Sequence, residues 1–393
     1  MYLIYRALLN IETYQVNQVW VSELFKEMNK VAQGASDNLV LTLRLHDSQG
    51  FINFFRMSPE AFDELLSLVG PKITKKFCVR APISATIRFQ LTLRYLATGD
   101  YINSLSLLFR VSPTSVSKII KETCKEIWNC LIPIVFISNP TQNDWRKISK
   151  GFESEWNFSH CLGCVDSKLI AMEAPPHSSS YFYDYKGHHS IHLQAYVDAY
   201  KKFIAVEVGA AGRQSDRGVF CNSTTGKMII NKKFNIPQPE PVVQDGSKLP
   251  YVFLGDKAFG LSDYMLTPYP RSLKLDLRKK VFNYRQSRAR RIVECPFGEL
   301  ISTWRLFRKR VEITLPATIE AIKACVCLQN FLIMYNEEEK DIDESVIVDK
   351  NTQLQSVGNI SARAKRNAAV KVRDDFAEYF MNEGAVPFQW EKC

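Results

Sequence analysis

The hydrophobic period of this chain changes near Phe158 from helical to alternating, and that change constrains the fold more than any other feature. Before it, apolar residues recur at helical spacing; after it they alternate. The segments CLGCVDSKLIAMEA, SIHLQAYVDA and KFIAVEVGA follow one another across short turns, and each reads as a strand. Ser215-Asp216 then opens a short helix, RGVFCNSTTG. A loop carrying Pro237, Pro239, Pro241 and Pro250 leads into a fourth strand, YVFLGDKAF. Helices are predicted from about Phe282 to Phe307 and from Pro316 to Tyr335. Three strands, a helix, another strand and closing helices predict an α/β unit over 151–336, a mixed sheet with flanking helices.

Ahead of that unit the pattern predicts an all-α region. Residues 1–50 give weak helical signals, and 51–150 read as a helical domain. Ser58-Pro59-Glu60 starts a helix with Phe62, Leu65, Leu66 and Val69 on one face. A second helix runs from about Ser84 to Ala97, stopped by Gly99. A short helix ending near Phe109, a turn at Arg110-Val111-Ser112 and a long helix from Pro113 follow in helix-turn-helix order. In the long helix Val116, Ile120, Ile127 and Leu131 form the apolar stripe. Lys118, Lys121 and Lys125 line another face, fit either for phosphates or for plain solvent. After the α/β unit, 337–393 read as an acidic linker, Glu337–Glu344, and a last helix from about Ala362 to Phe380.

Charge narrows the partner class. The 393 residues carry a net +10, and the 13 Lys and Arg against three acids between Arg271 and Arg310 equal that whole excess. A local concentration of this kind suits a phosphate backbone, or else a solvated helix surface. No run approaches 18 apolar residues, so no membrane span is expected. The first residues meet Arg6, Asn10 and Glu12 too early for a signal peptide, which points to the cytosol or nucleus. The ten cysteines read as reduced thiols. Cys161 and Cys164 have metal-knuckle spacing, but on a strand they should face opposite ways, and a second pair is missing.

Three acids stand where apolar elements deliver a carboxylate to a sheet edge: Asp166 after Val165, Asp256 after Phe253-Leu254-Gly255, and Glu294 in ARRIVECPFGELISTWRLF. Carboxylates near buried strands are costly unless paired or metal-bound, and hard divalent cations resolve the cost. Asp198 and Asp216 are further candidates, Asp216 chiefly as a helix cap. His188, His189 and His192 read as structural histidines near the second strand.

The stretch from CLGCVDSKLIAMEA through AAGRQSDRGVF resembles the catalytic region of Harbinger transposases and the nucleases derived from them. So do YVFLGDKAFGLSDYMLTPYP and NYRQSRARRIVECPFGELISTWRLF. The similarity runs in order from about Cys161 to Tyr335. It implies a ribonuclease H-like fold and a DDE triad of Asp166, Asp256 and Glu294 that holds two divalent cations, magnesium or manganese, for phosphodiester hydrolysis. It also implies nuclear action and a separate Myb-like partner that recognises DNA. DNA contacts are expected from Lys118, Lys121, Lys125, Arg288, Arg290 and Arg291, and a homodimer is a further expected assembly. The chain departs from the family at Ser167 and Leu169, where a Gly and often a His are usual, and at Gln329, where a His commonly precedes the Asn. Pro296, two residues beyond Glu294, should make the helix kink or restart there. Two functions therefore stand side by side: a metal-dependent DNA endonuclease, and a domesticated DNA- or partner-binding protein that keeps the fold.

Overall fold

The computed structural model describes residues 23–76, 82–244, 246–270, 275–338 and 362–392. The first 22 residues, Arg271 to Lys274 of the basic block, and most of the acidic run lie outside the described residues. The chain forms two compact units that part between Thr123 and Cys124. The sequence pattern puts that divide near 150. It falls instead inside one long helix, whose unbroken period hides it.

The first unit is helical: α1 (Glu27–Gln33), α2 (Leu39–His46), α3 (Ser48–Phe55), α4 (Pro59–Ile73), α5 (Ala85–Thr98), α6 (Ile102–Phe109) and the start of α7 (Pro113–Val135). Ser58 caps α4 by accepting from the Ala61 N–H, and Pro59 occupies the first turn, where its missing donor costs nothing. Gly99 ends α5 in the left-handed conformation. Phe51, Phe55, Phe62 and Phe89, all buried, build the centre, with Phe62 and Phe89 ring centroids 5.1 Å apart. The helix, turn and long helix expected around Arg110 are present, with Arg110 at φ 53°. Val116, Ile120, Ile127 and Leu131 are fully buried, whereas Lys118, Lys121 and Lys125 are exposed.

The second unit is built on a five-stranded sheet. Its strands are β1 (Cys161–Ala171), β2 (Ser190–Val197), β3 (Phe203–Ala211), β6 (Val252–Leu254) and β7 (Met265–Leu266), in the order β3-β2-β1-β6-β7. Between β3 and β6 lies a small ribbon of β4 (Glu240–Pro241) and β5 (Lys248–Leu249). β1, β2 and β3 pair antiparallel, while β6 joins β1, and β7 joins β6, in parallel. All eight residues of β2 are buried, so it lies at the interior of the layer. β1 behaves differently along its length. Its first five residues are buried and the next four, from Asp166, emerge to half-buried positions.

Seven helices after α7 are described in this unit: α8 (Gln142–Trp156), α9 (Asp216–Asn222), α10 (Thr224–Ile230), α11 (Leu277–Arg290), α12 (Glu294–Thr303), α13 (Leu315–Glu338) and α14 (Ala362–Met381). Trp145 of α8 enters a core with Leu162, Val165, Tyr196, Phe220 and Phe253. The C-terminal helix is part of this unit rather than a separate tail: Phe158 stacks on Phe376 and meets Phe380 edge-on at 4.9 Å. By length and hydropathy α13 is long and apolar enough to cross a membrane, contrary to the reading of the sequence. Two thirds of that stretch (67%) is buried inside the unit, as a core helix.

Asn330, on α13, fixes the start of β3. Its Oδ1 accepts from the Phe203 N–H at 2.9 Å, while its Nδ2 donates to the carbonyls of Phe203 at 2.8 Å and Val135 at 3.2 Å. The side chain is wholly buried, so no water replaces those bonds. Asn330→Ala is expected to lower stability by about 2–4 kcal/mol, since each stranded buried group costs roughly 1–3 kcal/mol. Chemical denaturation of the two proteins checks it. A loss under about 0.5 kcal/mol, the range of ordinary surface changes, would contradict this anchoring role.

Candidate active site

Parallel pairing of β1 with β6 assembles the site. Cys164 lies opposite Leu254, so two more residues along each strand bring Asp166 and Asp256 to the same level. The carbonyl of Gly255 accepts from Nε2 of buried Gln286, and the Cys164 thiol donates to the Ala289 carbonyl at 3.4 Å. Both contacts come from α11, which thereby packs beside β1 and just past the end of β6. Asp256 turns its Oδ1 back to the Ala258 N–H at 2.8 Å. Asp166 Oδ1 accepts from the Ser167 N–H at 2.8 Å.

The helix carrying the third acid does restart. After α11 a 3-10 turn spans Arg291–Val293, and α12 begins at Glu294. Pro296 is then the third residue of the new helix, where the backbone N–H has no intrahelical acceptor, so its ring is tolerated. Glu294 is the most exposed of the three acids, with 56% of its side chain accessible. It shares a cleft of about 570 Å³ with Asp166, Asp216, His192 and Lys186. Asp256 lines a neighbouring cleft of about 330 Å³ with Lys257, Asn283 and Ser287. Arg290 lines that second cleft and bonds into the first: Nη2 donates to Glu294 Oε1 at 2.9 Å, and Nη1 lies 3.8 Å from Asp166 Oδ2.

A fourth carboxylate joins the cluster. Ser215, not Asp216, caps α9, accepting from the Gly218 N–H at 3.2 Å. Asp216 is thereby free to face the cleft, where it takes a hydrogen bond from the Ser167 hydroxyl. Gln194, buried on β2 opposite Ser167, donates to that hydroxyl at 3.2 Å and to the Asp216 carbonyl at 3.1 Å. His192 is 3% exposed; its Nε2 meets the Gln214 carbonyl at 3.0 Å and its Nδ1 lies 3.7 Å from Asp216. This histidine is structural, as expected, and it braces the loop that holds Asp216. Asp198 has no part in the cleft. It closes the β2–β3 turn, accepting from the N–H groups of Tyr200 and Lys202.

The carboxylates of the cluster act on one another. Burial pushes the Asp166 carboxyl up to about 6; the Ser167 N–H and Arg290 pull it down, and Asp256 and Asp216 push it up further. Burial also raises Asp216, and the Asp256 charge adds to it. The donors are all carboxylate oxygens, the chemistry that magnesium or manganese prefers. As the side chains stand, no three His, Cys, Asp or Glu among the described residues converge on one point. The set fits a hard divalent cation in chemistry, with Arg290 in the intervening space.

Other candidate residues fall elsewhere. Arg288 does not reach outward: Nη1 donates to the Trp156 carbonyl at 3.0 Å and to Asn157 Oδ1 at 2.6 Å, and the guanidinium lies over the Phe388 ring. Arg291 is exposed, with no ion pair among the described residues. Cys161 and Cys164 do not face opposite ways. A register shift between Cys161 and Gly163 inserts an extra residue in β1, and the two buried thiols interact.

The mixed sheet and its flanking helices define a class by fold, a ribonuclease H-like α/β domain. Residues 165–330, from the residue before Asp166 to Asn330, match the model of the DDE superfamily endonuclease. The chain is also similar to Protein ALP1-like of Arabidopsis thaliana, 27% identical over 267 residues, which are 66% of this chain and 64% of that protein. The chain thus spans under two thirds of that relative's length. No solved structure matches the chain. Both matches accord with the resemblance to Harbinger transposase-derived nucleases drawn from the sequence.

The raised Asp166 has a consequence for metal-free protein. Its pKa in the folded state exceeds the unfolded value, so the folded state holds the proton more firmly. The associated stability is present below about pH 4 and is lost as pH rises through about 6. Asp166→Asn is expected to remove most of that loss, on the order of 1–3 kcal/mol at pH 7.5, because each tenfold difference in proton affinity is worth about 1.4 kcal/mol. Denaturant unfolding from pH 4 to 8 in chelator measures it. Parallel curves for both proteins would mean that Asp166 ionises without strain.

Proposed function

We propose that this protein is a divalent-metal-dependent DNA endonuclease of transposase descent, hydrolysing phosphodiester bonds at the Asp166, Asp256 and Glu294 cluster. The observation that carries the reading is the β1–β6 register, which delivers Asp166 and Asp256 together from neighbouring parallel strands. Glu294, in the same cleft as Asp166, supports it. Asp166, Asp256 and Glu294 are the residues that would hold magnesium or manganese. When bound, such ions supply Lewis acidity and a lowered pKa for water. The chain's own residues do the rest. Ser167 and Gln194 orient Asp166 and Asp216, the Gly255 carbonyl locked by Gln286 aims Asp256, and the restart of α12 brings Glu294 into the cleft with Asp166. Lys186 at the cleft rim offers a positive charge to a phosphate.

DNA affinity rests, in this reading, on exposed cations: Arg291 beside the cleft and, on α7, Lys118, Lys121 and Lys125. A Myb-like protein that reads the target sequence, a second copy of the chain and action in the nucleus complete the proposal. One observation favours the rival, a DNA-binding protein without cleavage: Arg290 already neutralises two of the three acids.

Plasmid nicking in magnesium or manganese, with and without chelator, decides between them. Asp256→Asn is expected to lower nicking at least about 100-fold, which is some 2.7 kcal/mol of barrier. Its duplex affinity at fixed salt should stay within about threefold of wild type, roughly 0.7 kcal/mol. Equal nicking by both proteins would place the active site elsewhere, and no nicking by wild type would favour the binding protein.

The arginines separate by a second measurement. Arg291→Gln should flatten the log–log salt slope of duplex binding by about 0.9, the value of one neutralised phosphate. Arg288→Gln should leave the slope unchanged and lower the melting temperature, because its bonds are internal. A flattened slope in Arg288→Gln with unchanged melting would reverse the two assignments.

A further inference from the structure

We propose that Arg290 is an internal cation latch, whose guanidinium occupies the space between the acids and must be displaced before a divalent cation can be held there. The inference rests on the reading of these acids as a cation site. Three observations bear on it. Arg290 bonds Glu294 at 2.9 Å and lies 3.8 Å from Asp166. It lines the cleft that contains Asp256 and reaches Asp166 and Glu294, which line the other, so its side chain touches both groups of acids. With it in place, no three potential ligands among the described residues converge.

The strength of the latch follows from its surroundings. Arg290 and Glu294 are four residues apart, with side chains 23% and 56% exposed. A partly exposed pair of that kind is weakly held, and a guanidinium 3.8 Å from Asp166 adds a second modest attraction. A divalent ion brings twice the charge to the same oxygens, so it can win the competition, though its affinity is measurably weakened by having to displace the arginine. Glu294 has the exposure to follow the ion once released. The displaced guanidinium has somewhere to go: the second cleft is lined by Lys257, Asn283 and Ser287, a polar surface open to solvent. Arg290 is a positioning residue in this account, holding the metal-free acids in a neutralised arrangement.

The test is manganese binding to the full chain by titration calorimetry, without DNA. Arg290→Gln should bind manganese about tenfold more tightly than wild type, since one positive charge some 4 Å from the site has gone. Arg290→Lys, a conservative change that keeps the charge but lacks the two-pronged reach, should fall between. Asp166→Asn should lose most of the binding. If Arg290→Gln and Arg290→Lys both match wild type while Asp166→Asn is weaker, the latch is wrong and the cation site stands. If Asp166→Asn binds as well as wild type, the cation site itself is wrong and the latch falls with it.

Discussion

Everything at the candidate site depends on one contact between strands that are distant in sequence, the parallel pairing of β1 with β6. The two are separated by about 80 residues, and the antiparallel pair β2–β3 and helices α9 and α10 fill the interval. Backbone hydrogen bonds fix their relative level, so the positions of Asp166 and Asp256 are set by the ladder and not by side-chain choice. The helix α11 then ties itself to β1 through Cys164 and to the end of β6 through Gly255. Because Asp166 sits just where burial along β1 gives way, it keeps enough solvent to ionise and enough desolvation to resist it.

That tension explains why Arg290 belongs to the site. Asp166, Asp216 and Asp256 repel one another, and the fold meets this with a cation drawn from its own helix. The basic block is therefore not a uniform DNA-facing surface. Arg285 is 2% exposed and donates to the Gly384 carbonyl and Gln389 Oε1, Arg288 braces the end of α8, Arg290 answers the acids, and Arg291 faces solvent. Four arginines in seven residues have three different jobs, decided by the turn of the helix on which each falls.

Much of this is legible in the sequence. The period change locates the sheet, and the three candidate acids stand out because each follows apolar residues. Direction is what the sequence hides. Ser215-Asp216 offers two possible caps, and only the structure shows that the serine takes the role and frees the aspartate. Arg288 and Arg290 differ by two positions and look alike in sequence, yet one points to Asn157 and the other to Glu294. The spacing of Arg290 and Glu294 is a visible clue, since residues four apart on a helix are neighbours. The thiol pair defeats the expectation of opposite faces because strict alternation holds only for a strand without interruption.

That interruption reaches further than the cysteines. Gly163 has φ +150°, and a methyl group there would meet the Val197 carbonyl and Ile204, each at 3.1 Å, so glycine suits the bulge where side chains do not. The bulge resets which side of the sheet every later residue of β1 occupies. A deletion of one residue there would turn Asp166 to the opposite face without altering a single acid. A descendant of this chain could thus keep Asp166, Asp256 and Glu294 letter for letter and still lose their meeting point, so the presence of all three acids in an alignment is no proof that they face one another.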